Sequence, residues 1–395
     1  MAPQRIAIIG GGPAGAYAAA ALASAGREVI LFDEKLAWEK PCGGGLTDKA
    51  LARWPFLREA VAERKFITDC ELIAPSRASV RFSLDKQIAI FSRVALNGLL
   101  LDRAAEAGAK VVRERIVHLE RSNGMWAVQS ASSQYAADFV VLATGARNPF
   151  RGVFSPNLGP ENFMVAVGYY IPGTSATVQV KFVEGLHGYI WIFPRTDHFS
   201  AGICGRVQGK STLELRRILE EHLPELGLSH ENGMFYAHIL PSLTPEALRA
   251  TQFCGEGWAM VGDAAGLVDA ITGEGLYYAL RSAELLSDAL LSGDPEAYAR
   301  AAHSEIIPEL ERAARIAQRF YAGEWLGGRV LERMVQFTGR SRKFRSLMRD
   351  LFSGAQEYSD LKRRVYRSLP VIAAEALLSR VRRPAREQGG TAAAD

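Results

Sequence analysis

Two glycine-rich turns, some 250 residues apart, carry the residue types that hold a dinucleotide. Near the N-terminus, Gly10-x-Gly12-x-x-Gly15 follows the apolar run Ile6-Ala7-Ile8-Ile9 and opens an alanine-rich stretch. An acid, Asp33, comes 18 residues after Gly15. Strand, glycine turn, helix, and an acid closing the next strand form the context that a dinucleotide fingerprint requires. Gly10 permits the tight turn, Gly12 lets backbone approach a pyrophosphate, and Gly15, beside Ala14, lets the helix pack on the strand. The diphosphate then sits at the helix N-terminus, where free amides and the dipole favour negative charge. Asp33, with Glu34 as the neighbouring alternative, accepts a hydrogen bond from the adenosine ribose.

The second turn separates the possible dinucleotides. Val261-Gly262-Asp263-Ala264-Ala265-Gly266 ends a strand-like stretch. Asp263 there can accept a hydrogen bond from a ribityl hydroxyl, a group that FAD has and NAD lacks. Thr272-Gly273-Glu274-Gly275-Leu276 then opens a long helical pattern. Amides at Gly273, Gly275 and Leu276, with the helix dipole, can stabilise negative charge on N1 and O2 of a reduced flavin. Gly145, in the turn after the strand-like stretch 139–144, is expected on the same cofactor. The expectation is one FAD gripped at both ends.

Two further motifs, together with the second turn, resemble those of the geranylgeranyl reductase family, FAD-dependent flavoproteins within the p-hydroxybenzoate-hydroxylase-like superfamily. These are Pro41-Cys42-Gly43-Gly44-Gly45-Leu46, Tyr189-x-Trp191-x-Phe193-Pro194, and Gly262-Asp263-Ala264-Ala265-Gly266 running on through Gly273-Glu274-Gly275. The likeness spans roughly residues 5–290. It implies hydrogenation of isolated C=C bonds in a polyprenyl chain, with hydride from reduced flavin and a proton from another donor. It places Cys42 near the flavin ring and the wall of Tyr189, Trp191 and Phe193 on the substrate. Cys42, Tyr189 and Trp191 are the expected catalytic residues. Flanking Gly43 and Gly44 let backbone approach the ring, and Arg93 matches a superfamily arginine that contacts FAD. An isolated alkene is poorly electrophilic, so tightly held geometry over the flavin is the main requirement. The runner-up reading is a monooxygenase or halogenase acting through a C4a-hydroperoxyflavin. A halogenase's W-x-W-x-I-P motif appears here as Tyr189-Ile190-Trp191-Ile192-Phe193-Pro194. A third reading is a flavoprotein that only carries electrons or binds a prenyl lipid.

These residues need an α/β frame. The buried strand patterns at 6–9 and 28–33 flank a helix over 16–25 closed by Gly26, which is one βαβ unit of a parallel sheet. Helical periodicity covers 93–108, and strand patterns recur at 139–145 and 257–263. Stretches 178–183 and 189–193 read as antiparallel strands. Tyr189, Trp191 and Phe193, two apart, share one strand face. The expected architecture is a Rossmann-type FAD-binding domain from residues 1–75, 90–150 and 255–300. A mainly antiparallel β substrate domain from 76–89 and 151–254 is inserted into it. A helical C-terminal region follows over 301–395, with 388–395 disordered.

Composition limits the rest. At 395 residues the chain exceeds what one core usually organises. Hydrophobic content of 48% and charged content of 23% are those of a globular protein, and no apolar run is long enough to span a bilayer. The four cysteines have no metal-ligand spacing, and none follows Cys254, so no metal centre is expected. A net charge of +4 does not call for nucleic acid. The charge is uneven, however: 15 basic against 7 acidic residues from Arg329 onward. Such a tail can form basic helices against an anionic membrane surface. The expected location is cytoplasmic, peripheral at the inner membrane surface. Without a second glycine fingerprint, reductant is expected from outside, as NAD(P)H or a reduced electron-carrier protein.

Overall fold

A computed structural model describes residues 4–324 and 327–381. The expected disorder at 388–395 lies outside the described residues.

The first sheet has six strands, in the order Cys254–Gly255, Trp258–Met260, Phe139–Leu142, Arg5–Ile9, Glu28–Phe32, Lys110–Val112. All pairs are parallel except the antiparallel edge pair. Helices and a small three-stranded sheet pack on it, which is why its central strands are continuous apolar runs. Ile9 pairs with Phe32 on one side and Leu142 on the other, so the three strands end level. The order in which the chain adds strands reverses at Arg5–Ile9, from which it builds outward first on one side and then on the other, and the crevice beyond these carboxyl ends is where a doubly wound sheet binds its ligand. The helix Pro13–Ser24 starts with proline at its first turn and ends before Gly26, which takes a left-handed φ of +79°. Its small buried alanines let it sit against the helices Arg93–Glu106 and Leu276–Ser292.

The second sheet has eight strands and is mainly antiparallel, in the order Met234–Pro241, Phe163–Pro172, His198–Arg206, Ile190–Pro194, Thr177–Lys181, Arg64–Ile73, Ser79–Phe91, Gly45–Leu46. One junction is parallel, Thr177–Lys181 against Arg64–Ile73. The expected division between residues 75 and 76 falls inside a hairpin: Arg64–Ile73 pairs along its length with Ser79–Phe91. Residues 64–73 therefore lie in the second sheet and not with the first. Their alternation of polar and apolar residues suits a half-exposed strand, which the apolar-run criterion for a parallel sheet does not detect. Gly45 pairs with Ile90, so the cysteine–glycine segment bridges the two sheets. A small third sheet, Ile116–Ser122, Met125–Ser130 and Gln134–Ala137, interrupts the stretch expected to be purely Rossmann.

Alternation along Ile190–Pro194 sorts the two faces as expected. Ile190 and Ile192 pack with Leu215 and Leu219 of the helix Thr212–His222, while Trp191 packs with Tyr170 and Tyr236 and next to Tyr189 and Phe193. The C-terminal helices Ile307–Ala322, Val330–Arg340, Arg342–Phe352 and Tyr358–Val381 cover the other end of this sheet. Tyr321, Met334, Phe344 and Leu347 form one core with Ile67, Phe82, Val178 and Val180.

Candidate functional site

A cavity of about 490 Å³ opens between the two sheets and the C-terminal helices. Every expected cofactor, catalytic and substrate residue lines it except Gly15. Gly15 lies beneath: a Cβ there would come 1.9 Å from the Gly10 carbonyl oxygen, so its bareness lets the helix approach the strand. Gly10 has φ +110°, and a Cβ on it would stand 2.2 Å from the Ala143 carbonyl oxygen. Gly12 differs from both, since a Cβ on it meets no protein atom within 4 Å. The helix behind Gly12 has no side-chain N-cap, so its first amides are left to a ligand.

Asp33 braces this turn. One carboxylate oxygen accepts the Gly11 N–H at 2.7 Å, and the other accepts those of Lys35 and Leu36 at 2.8 Å. Glu34 is half-exposed and stands 3.7 Å from Arg115. Arg93 is 3% exposed, with Nη2 donating to Asn97 Oδ1 at 3.2 Å. Its Nε and the hydroxyl of Thr144, beside Gly145, are buried without a protein partner.

At the other end, Asp263 faces Lys40 at 3.3 Å, a cation that no motif announced. The loop from Asp269 to Gly275 is held from three directions. Asp269 accepts the amides of Ile271 and Thr272 at 2.7 and 2.8 Å, with Tyr358 beside it. Tyr321 donates to the Ile271 carbonyl at 2.5 Å, and Tyr189 donates to that of Thr272. Burial pushes the Tyr189, Tyr321 and Tyr358 phenols well above 10, so all three stay hydrogen-bond donors. The helix Leu276–Ser292 starts from Gly275 without a side-chain cap, so amides face the cavity again.

Between the two ends lies Cys42, half-buried, with Sγ accepting the Gly44 N–H at 3.3 Å. Gly44 has φ +81°, and a Cβ on it would be 2.0 Å from the Phe91 carbonyl oxygen; a Cβ on Gly43 would meet the Phe193 ring at 2.6 Å. The Cys42 carbonyl accepts Arg195 Nη2 at 2.9 Å and Ser200 Oγ at 3.0 Å. Arg195 is 1% exposed and pairs with Glu39 at 2.5 Å. Burial opposes the Glu39 charge, but Arg195 and the Arg93 amide outweigh it and hold the carboxyl below its usual range. Glu39, Lys40, Arg195 and Ser200 escape sequence reading because their partners lie on other elements.

Beyond Tyr189 and Trp191 the lining turns apolar: Ile88, Val178, Val180, Phe182, Phe320 and Met334 are among its walls. The lining cations Lys35, Lys40, Arg93 and Arg147 all stand on loops after the first sheet's strands or at the start of the helix Arg93–Glu106.

The family model of pyridine nucleotide-disulphide oxidoreductases matches residues 4–159. Geranylgeranyl diphosphate reductase of Synechocystis sp. is 27% identical over 314 residues, covering 73% of this chain and 75% of that one. The chain is an FAD-dependent oxidoreductase similar to the geranylgeranyl reductases. In fold it resembles a geranylgeranyl bacteriochlorophyll reductase-like protein of Thermoplasma acidophilum, with a TM-score of 0.75, 20% identity, and coverage of 93% and 98% of the two chains. A flavin-dependent brominase shares the fold too, with a TM-score of 0.71, 15% identity, and coverage of 92% and 98%.

The flavoenzyme's cavity fits its cofactor on its own evidence. Gly12 leaves a wall open where a diphosphate can approach, two helix N-termini present uncapped amides, and Arg93 and Thr144 hold unpartnered polar atoms. Buried polar atoms of this kind ordinarily find a partner. His187 and His238 are both pushed down to about 4 by burial, so neither carries charge at neutral pH. His238 nonetheless lines the cavity, with Nε2 buried and unpartnered.

Proposed function

We propose that this flavoenzyme hydrogenates C=C bonds of a polyprenyl, geranylgeranyl-type chain. The observation that carries the reading is the apolar part of the cavity wall, with Val178, Val180, Phe320 and Met334, which stands on the second sheet and the C-terminal helices, whereas the lining lysines and arginines stand on the first sheet's loops and at the start of the helix Arg93–Glu106. An isoprenoid tail gains about 25 cal/mol per Å² of surface removed from water there. A charged diphosphate would find no partner in it, so the head group stays outside.

When bound, FAD supplies the hydride. The residues of this chain hold it and aim the substrate. Gly10, Gly12 and Ala14, with Gly15 beneath, receive the diphosphate, and Asp33 receives the adenosine ribose. Arg93 and Gly145 hold the middle of the cofactor, and Asp263 the ribityl chain. Gly273, Gly275 and Leu276 offer amides to the ring. Cys42, Tyr189 and Trp191 touch the reacting part of the chain, with Phe193 behind Gly43 and Gly45. Water exclusion follows from the covering helices. The electrons come from an external reductant, NAD(P)H or a reduced carrier protein.

Membrane contact belongs to the same reading. Tyr366, Pro370, Leu377 and Leu378 lie exposed along the helix Tyr358–Val381, beside exposed Lys362, Arg363 and Arg367. No helix among the described residues is long and apolar enough to cross a membrane. A basic and apolar outer face suits an interfacial contact. Anaerobic incubation of the chemically reduced holoenzyme with a geranylgeranyl lipid is expected to add mass in steps of two hydrogens. Unchanged substrate, together with a long-lived C4a-hydroperoxide absorbance on admitting oxygen, would turn the reading to a monooxygenase or halogenase.

A further inference from the structure

Alkene reduction needs a proton as well as a hydride, and the loop 269–275 brings to the cavity a carboxyl that neither cofactor binding nor chain binding uses. Glu274 stands between Gly273 and Gly275, the pair that frames the ring end of the cavity, and it lines that cavity. Thr47, one residue beyond the cysteine–glycine motif, donates its hydroxyl to Glu274 Oε1 at 3.2 Å. Among the described residues, no hydrogen bond to the other carboxyl oxygen is made. The backbone of the carrying loop is fixed by Tyr189, Tyr321 and Asp269, which ties the loop to the aromatic wall that the substrate would meet.

We propose that Glu274 is the acid that protonates the alkene carbon not receiving hydride. The inference rests on the polyprenyl-reductase reading. In the step, the π pair of the C=C bond takes the Glu274 proton and forms one C–H bond. The adjacent carbon accepts a hydride and forms the second, with two-electron oxidation of the bound reduced flavin. Glu274 is left as the carboxylate and regains a proton from water once product leaves.

The surroundings suit that task. Facing Glu274 are Asp269 on its own loop, Lys49 of the helix Asp48–Arg53, Tyr189 before the strand Ile190–Pro194, Tyr278 of the helix Leu276–Ser292, and Tyr358 of the last helix. Burial and the Asp269 charge raise the carboxyl, Thr47 and Lys49 pull it back, and the balance stands at about 7. Tyr278, like Tyr189 and Tyr358, is pushed well above 10, and the Tyr189 proton is committed to the Thr272 carbonyl. Among these groups the carboxylic acid is the stronger donor that still keeps its proton near neutrality, which is where a general acid works best.

The test uses holoenzyme, wild type, Glu274→Gln and Glu274→Asp, reduced chemically and mixed anaerobically with a geranylgeranyl lipid. Wild-type single-turnover reduction is expected to fall as pH rises through about 7. Glu274→Gln is expected to keep its FAD, to slow at least ~100-fold, and to lose that pH dependence. Glu274→Asp should recover part of the rate. A carboxylic-acid carbonyl band that titrates in the wild-type infrared spectrum and is missing from Glu274→Gln would support the same assignment. Glu274→Gln reducing the lipid at the wild-type rate with the wild-type pH profile overturns the proposal alone. Wild-type enzyme that reduces no polyprenyl chain overturns the underlying reading, and the proposal with it.

Discussion

Gly10 and Gly12 are two residues apart and answer differently to an added side chain. At Gly10 a Cβ would collide with the Ala143 backbone, and the φ of +110° is strained for any L-residue. At Gly12 the same atom would project into open cavity. Gly10→Ala is therefore expected to lower Tm markedly. Gly12→Val should leave the apo-protein's Tm within a few degrees while weakening FAD by ~100-fold or more, as read by flavin content and calorimetric titration. Equal effects of the two changes on Tm would contradict separate roles. At this scale the glycine fingerprint was legible in the sequence, because a turn's demand for a missing side chain is local. Thr47, Lys40 and Glu274 were not, since each gains its meaning from a partner on another element.

Among elements, the segment from Glu39 to Leu46 joins the two sheets, and the Arg195–Glu39 pair fastens it. Arg195→Met would leave the Glu39 carboxylate to the Ser92 hydroxyl and the Arg93 and Val94 amides, a lost charge-assisted bond that ordinarily costs about 2 kcal/mol, and would free the Cys42 carbonyl as well. Chemical unfolding should show that loss. The folded state holds the Glu39 carboxyl below its ordinary 4.5, so its contribution is present above that value and fades as pH falls through the folded-state value. Glu39→Gln should accordingly be less stable than wild type at pH 7, with the gap narrowing on acidification. A gap that widens toward low pH would reverse the assignment. The strand Arg64–Ile73 shows the limit of pattern reading for elements. Its alternating residues are compatible with either sheet, and only its hairpin pairing with Ser79–Phe91 decides which.

For the whole molecule, the C-terminal helices do two things at once. Their inner faces close the apolar compartment through Phe320, Tyr321 and Met334. The outer face of the last helix carries Tyr366, Leu377 and Leu378 at 60–63% exposure, next to basic residues. Sedimentation with vesicles is expected to bring the enzyme down with anionic lipid, less so with neutral lipid, and progressively less as salt rises. Tyr366→Ser combined with Leu377→Asp should abolish binding while FAD content stays unchanged. Binding indifferent to lipid charge, salt and these substitutions would place the contact elsewhere.

The amino-acid sequence alone determined the cofactor class, the parallel sheet that presents it, and the common face of Tyr189, Trp191 and Phe193. Each of those follows from short-range rules: glycine where backbone must come close, apolar runs where both faces are covered, period two along a strand. The tertiary structure decided how far the second sheet extends, which elements wall the cavity, and which acid meets Thr47 there. Those depend on contacts between residues such as Thr47 and Glu274, 227 positions apart. Burial and charge at such a junction are properties of the assembled interior, which no stretch of chain carries by itself.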